Sequence, residues 1–175
     1  MKKVIAFGAS TSSKSINKQL ATFAASLIEN AETEVLDLND FLAPLYSEDE
    51  EAKGFSENVK SFKSKLDSAD AFIISVAEHN GNFTSAFLNL YDWTSRLDRN
   101  IFGDKPVLLM STSPGGRAAS SAFGIAKAGF PHMGAQIVAE YSLGTFYDNF
   151  SDGKISNEEE SNKLLVEVKK LQSKL

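Results

Sequence analysis

Short apolar runs alternate with helically spaced segments along this chain, and that alternation narrows its fold more than any other feature. Val4 to Gly8 is an apolar run ended by glycine, bounded as a buried parallel strand is bounded. Ser15 stands where it can cap a helix carrying Ile16, Leu20, Phe23, Ala24, Leu27 and Ile28 on one face. Thr33 to Leu38 sets Val35 and Leu38 among acidic residues and predicts a second, more exposed strand. Asn39 to Lys53 is acidic and irregular, so a surface loop is expected there. Phe55, Val59, Phe62 and Leu66 then mark a helix at i, i+4, i+7 and i+11.

The same rhythm continues. Ala69 to Val76 predicts a central strand, residues 77–83 a polar loop, and Thr84 to Leu97 a helix carrying Phe87, Leu88, Tyr91 and Trp93. Lys105 to Ser111 predicts a buried strand, with Pro106 near its start, where a missing N–H removes no ladder bond. Ser113-Pro114-Gly115-Gly116 forms a Gly-rich loop before a small-residue helix reaching about Gly129. Gln136 to Leu143 gives a fifth strand, and Glu158 to Leu175 a charged C-terminal helix.

Strands alternating with helices imply right-handed crossovers and a parallel sheet covered on both faces. The expected architecture is α/β: a doubly wound five-stranded parallel sheet of order 2-1-3-4-5, with residues 1–175 as one domain. Ligands bind such sheets outside the carboxyl ends of the strands, where the strand order reverses. Those ends are the loops at 9–15, 77–83 and 111–117, which are also the richest clusters of Ser, Thr, Asn and Gly.

Composition excludes several functions. A net charge of −5, with no Lys/Arg cluster beyond Lys169-Lys170, argues against a nucleic-acid partner, because a phosphate backbone selects clustered cations. With no cysteine there is no disulfide framework, thiolate zinc site or dithiol redox chemistry, so any redox activity must come from a bound cofactor. The apolar run at the N-terminus is too short for a signal peptide, and no stretch approaches the roughly 20 residues of a membrane span. A cytoplasmic protein with no membrane partner is expected.

Residues 8–17 read Gly-Ala-Ser-Thr-Ser-Ser-Lys-Ser-Ile-Asn, between a buried strand and an amphipathic helix. Free N–H groups and the positive dipole of a helix N-terminus attract phosphate. Hydroxyls of Ser10, Ser12 and Ser15 and the amide of Asn17 can complete the cradle; the plainer alternative is a solvated loop whose serine merely caps the helix. The dinucleotide fingerprint G-x-G-x-x-G is absent, with only Gly8 present. A Walker A loop is a near miss: Gly8 and Lys14-Ser15 are in place, but Ser13 replaces the second glycine.

This segment is similar to the S-x-R-x-x-S-x-N phosphate loop of the NADPH-dependent FMN reductase family, with Ser10, Ser15 and Asn17 matching and Ser12 where the family usually carries Arg. A longer match follows the third strand: residues 77–96 place Glu78, Asn80, Asn89, Asp92, Trp93, Ser95 and Arg96 in register with P-E-Y-N-x-S-x-P-x-x-L-K-N-x-x-D-W-x-S-R. His79 stands for Tyr there, and Ala77 and Thr84 for the prolines. Ser113-Pro114-Gly115-Gly116-Arg117 resembles the family's Gly-rich loop.

The resemblance covers roughly residues 3–140 and implies a flavodoxin-like fold that binds FMN. It implies that Ser10, Ser12, Ser15, Ile16 and Asn17 hold the phosphate end, and that Glu78, His79, Asn80 and Gly81 with Ser113, Pro114, Gly115 and Gly116 run along the flavin ring. It further implies an NADPH- or NADH-dependent oxidoreductase passing hydride through FMN to a small acceptor such as a flavin, quinone or azo compound. The chain would act as a homodimer or homotetramer, with helix 84–97 at an interface. No catalytic side chain and no metal ligand set is expected. The alternatives are a flavodoxin-type electron carrier, or a relative that has lost FMN and serves as a binding protein.

Plainer readings attach to single residues. Trp93 suits the core or a subunit contact as well as a cofactor, and Asp92 with Arg96, four residues apart, suits a surface helix pair. His132, beside Pro131, reads as structural, and the acidic run Glu48-Asp49-Glu50-Glu51 as a solvated face.

Overall fold

The apolar runs pair side by side as expected. The computed structural model describes residues 1–175. Its strands are β1 (Lys3–Ala9), β2 (Glu32–Leu36), β3 (Ala71–Val76), β4 (Glu78–His79), β5 (Asn82–Phe83), β6 (Lys105–Thr112), β7 (Ala135–Leu143), β8 (Phe150–Ser151) and β9 (Lys154–Ile155). Its helices are α1 (Ile16–Ser26), α2 (Glu48–Glu51), α3 (Glu57–Asp67), α4 (Ser85–Leu97), α5 (Ser120–Gly129), α6 (Phe146–Asn149) and α7 (Glu158–Gln172).

Five strands form one sheet of order β2-β1-β3-β6-β7, every neighbouring pair parallel. This is the doubly wound 2-1-3-4-5 order, with the small hairpins β4-β5 and β8-β9 outside it. Pro106 pairs with Gln136 of β7, while the β3 ladder begins only at Val107, so its missing N–H faces no β3 partner.

Alternation along the strands builds two cores. Ile5, Phe7, Phe72, Ile74, Val107 and Leu109 face α3, α4 and α5, where Phe62, Phe87 and Ala122 meet them. Val4, Ala6, Ile73, Leu108 and Met110 face α1 and α7, against Leu20, Ala24, Leu164 and Val168. Burying each Leu, Ile or Phe contributes about 1.5–3 kcal/mol, so both sheet faces hold their helices firmly. No helix is long and apolar enough to cross a membrane.

The segment after β2 differs from expectation. The strand ends at Leu36, and Leu38 enters a single 3-10 turn, Leu38–Phe41, whose first free N–H is met by Asp37: Asn39 N–H donates to its carboxylate at 2.9 Å. Buried Phe41 draws the segment inward. The rest of the expected loop is tied to α4. Trp93 Nε1–H donates to the Pro44 carbonyl at 2.8 Å, and Asn89 Oδ1 accepts from Tyr46 N–H at 2.8 Å. Trp93 is therefore a core residue holding this segment down. Arg96 reaches Glu51 of α2 at 2.9 Å instead of pairing with Asp92. The long arginine side chain finds its carboxylate across the loop, which the sequence spacing alone hides.

Lys18 of α1 pairs with Asp37, joining the first helix to the end of β2. Hydrogen bonds from Lys18 and from Asn39 lower the Asp37 carboxyl from 3.8 to about 2. A carboxylate with a lowered folded-state pKa stabilises the protein above its unfolded pKa and loses that contribution as pH falls toward the folded one. Asp37→Asn is thus expected to flatten the loss of stability between pH 3.8 and about 2, while costing stability at neutral pH. Urea melts of both proteins across that range check it.

Candidate functional site

A small residue at the end of β1 lets α1 start directly over the sheet. A Cβ built on Gly8 would lie 2.2 Å from Lys18 N and 2.6 Å from the Asn17 carbonyl carbon, so only glycine permits this close crossing. The intervening turn is held by its own backbone and serines. Ser12 N–H donates to Ser10 Oγ at 3.1 Å, and Ser15 N–H to the Ser12 carbonyl at 3.0 Å. Ser15 caps α1 by accepting from Lys18 N–H at 3.1 Å. The cap satisfies the third amide of the helix, and the Ile16 and Asn17 amides ahead of it have no partner in the chain. Two free N–H groups at a dipole's positive end can receive an anion.

Asn17 ties the ends of three elements together. It is 3% exposed; Nδ2 donates to the Thr112 carbonyl at 3.1 Å, and Oδ1 accepts from Ser75 Oγ at 2.7 Å and Thr112 N–H at 3.1 Å. The amide thereby ties α1 to the carboxyl ends of β3 and β6, and the backbone N–H of the same residue has no partner in the chain. Thr84 adds a second tie, capping α4 while its hydroxyl donates to the Ala9 carbonyl at 2.9 Å.

The polar loop at 77–83 is a hairpin. Asn80 (φ 53°) and Gly81 (φ 78°) occupy the two left-handed positions of a tight turn between β4 and β5. Glu78 is turned to structural use: its carboxylate accepts from Ser121 N–H at 2.9 Å and Ala122 N–H at 3.1 Å, capping α5, whose own cap residue Ala119 offers no side-chain bond. The third loop carries backbone strain. Ala118 and Ala119 both have positive φ, at 50° and 58°, a cost of about 1–3 kcal/mol each that persists only where surroundings impose it. Ser111 Oγ–H donates to the Ala118 carbonyl at 2.6 Å, and Thr145 N–H to Gly115 O at 3.1 Å, clamping the loop from both sides.

These three loops meet around a crevice of about 230 Å³ at the carboxyl ends of β1, β3 and β6. Ser10, Ser12, Ser15, Ile16 and Asn17 form one wall, Glu78 and His79 a second, Ser113 and Pro114 a third. Asn80, Gly81, Gly115 and Gly116 lie beyond its rim. Lys14, Ala77, Thr112 and Tyr147 complete the lining. Tyr147, 70% exposed on α6, joins the lining from the segment after β7, which carries no motif to mark it. A mostly apolar groove of about 280 Å³ lies on the far side of Thr11, between Leu38–Leu45 and α4. The crevice has the convergent donors that a charged ligand needs; the groove does not. No three His, Cys, Asp or Glu side chains gather as a metal site.

A doubly wound sheet with a donor-rich crevice at its β1/β3 switch point defines a flavodoxin-like α/β protein. The chain belongs to the NADPH-dependent FMN reductase family, whose model matches residues 2–148. It is 31% identical over 114 residues to an NAD(P)H-dependent FMN reductase of Pseudomonas aeruginosa, covering 65% of this chain and 60% of that protein. It is 34% identical over 103 residues to a 2-hydroxy-1,4-benzoquinone reductase of a Burkholderia species, covering 58% and 55%. The matches thus span little more than half the length of these curated relatives. In fold it is similar to FerB, an NAD(P)H:(acceptor) oxidoreductase from Paracoccus denitrificans, with a TM-score of 0.84 at 23% identity over 99% of this chain and 97% of that one.

Proposed function

We propose that the crevice binds the phosphate and ribityl end of FMN, and that the chain is an NAD(P)H-dependent oxidoreductase passing reducing equivalents to a small acceptor such as a flavin, quinone or azo compound. The observation carrying this reading is the pair of free amides at Ile16 and Asn17, ringed by the serine hydroxyls at the switch point. Family membership and the absence of cysteine support it, since electrons here require a cofactor. Bound FMN supplies the redox chemistry that no side chain of this site can carry.

The fit of the residues is specific. At about 230 Å³ the crevice is smaller than the roughly 300–1,000 Å³ of pockets enclosing a whole ligand, so it suits the phosphoribityl part alone. The flat ring would lie outside, over His79–Gly81 and Gly115–Gly116, where glycines let backbone approach a plane. The chain's tasks are then to orient the ring through these loops and to leave one face open to nicotinamide and acceptor in turn. A ring so poorly enclosed gains cover from a second copy, which fits a homodimer or homotetramer. The reading that this contact uses the α4 face is supported by Leu42 and Leu45, 56% and 82% exposed beside α4, and by half-buried Asp92, which lacks an ion pair. Dependence on nicotinamide nucleotides fits a cytoplasmic location.

The test is anaerobic. Protein reconstituted with FMN and mixed with NADPH or NADH is expected to lose its visible flavin absorption within seconds and regain it when benzoquinone is added. Flavin that stays oxidised under excess NADPH and NADH would remove the reductase reading and leave an electron carrier.

A further inference from the structure

We infer that Lys14 is the charge partner of the ligand phosphate, a role the family pattern gives to position 12, and that it makes flavin retention depend on ionic strength. The inference rests on the FMN reading above. Lys14 is the only lysine or arginine lining the crevice. It is exposed and enters none of the ion pairs of the molecule, whereas Lys18, one helical turn later, is held by Asp37. The one acidic residue of the lining, Glu78, already accepts from two α5 amides. The Lys14 carbonyl accepts from Gln19 Nε2 at 3.5 Å, and no hydrogen bond within the chain engages the Lys14 ammonium.

Position 12 itself holds serine, so no guanidinium fork is available for bidentate recognition of the phosphate. The fixed donors of the cradle are all neutral: the Ile16 and Asn17 amides and the serine hydroxyls. A phosphate monoester carries close to two negative charges at neutral pH. Lysine answers it as a flexible point charge on an exposed stem, and an exposed charge pair is screened by salt. Flavin bound here is consequently an exchangeable ligand, held tightly at low salt and released as salt rises.

Fluorescence titrations with FMN and with riboflavin, at low and high sodium chloride, test this on the whole chain. Lys14→Gln is expected to weaken FMN binding about tenfold at low salt, the lower end for a charge-assisted hydrogen bond, and to flatten its salt dependence. Riboflavin, which lacks the phosphate, should bind Lys14→Gln and the native protein equally. Lys14→Arg should hold FMN within about threefold of the native protein. Lys60→Gln removes the same unit of charge on α3, where Lys60 pairs with Glu57, and should leave FMN affinity unchanged. Equal FMN affinity and equal salt dependence in Lys14→Gln and the native protein would overturn the role of Lys14 while sparing the FMN reading. A native protein that binds no FMN at any salt would overturn both.

Discussion

Gly8→Ala is expected to destabilise the protein by about 3 kcal/mol, or roughly 6–12 °C in Tm for a chain of this size, and to abolish FMN binding. The added methyl would sit 2.2 Å from Lys18 N and 2.6 Å from the Asn17 carbonyl carbon. These are backbone atoms of the first helical turn, so no side chain can swing aside. The helix must lift from the sheet, taking the Ile16 and Asn17 amides with it. Gly124→Ala supplies the contrast. Gly124 is exposed within α5, and a Cβ there meets nothing within 4 Å. That variant is expected to gain about 0.5–1 kcal/mol through reduced backbone freedom in the unfolded chain. Thermal melts of the two variants measure both effects, and equal Tm values would sink the close-crossing argument.

Asn17→Ala is expected to cost about 3–5 kcal/mol, because it orphans the Thr112 N–H and carbonyl and the Ser75 hydroxyl in the interior. Against the 5–15 kcal/mol stability of a typical domain, that is a large fraction. Asn17→Asp separates packing from hydrogen bonding. The new carboxylate still accepts from Ser75 and Thr112 N–H, but it faces the Thr112 carbonyl with no proton to donate. Its stability relative to the native protein should rise as pH falls, since the protonated acid restores the missing donor and removes a buried charge. Denaturant melts at several pH values read this directly. A pH-independent difference between the two proteins would show that Asn17 is not the tie between β3, β6 and α1.

The architecture was legible because its signals are local. Val4 to Gly8, Ala69 to Val76 and Lys105 to Ser111 are apolar runs long enough for buried strands, and a parallel order then leaves few topologies. What stayed hidden was tertiary. Asn-Gly at 80–81 carries the turn signal of a hairpin, yet β4 and β5 are two residues each and too short to show strand alternation. Arg96 turned from Asp92 to Glu51 because α2 folds back across α4, which spacing within one helix does not reveal. Asn17 and Glu78 sit in motif positions, and both side chains are spent on holding the loops that shape the crevice. A matched motif residue can thus shape a crevice through bonds within the chain as well as line it. Tyr147 reached the rim through the turn after β7, a segment with neither apolar period nor motif.

The central claim is that a phosphate group rests on the first turn of α1. Amide NMR of the labelled chain, titrated with FMN and with riboflavin, tests it where it lives. FMN should shift the amides of Lys14 to Asn17 together with those of Ser113 to Gly116, and riboflavin only the second group. Shifts confined to the Leu42–Leu45 groove and α4, with Ile16 and Asn17 unmoved by saturating FMN, would contradict it.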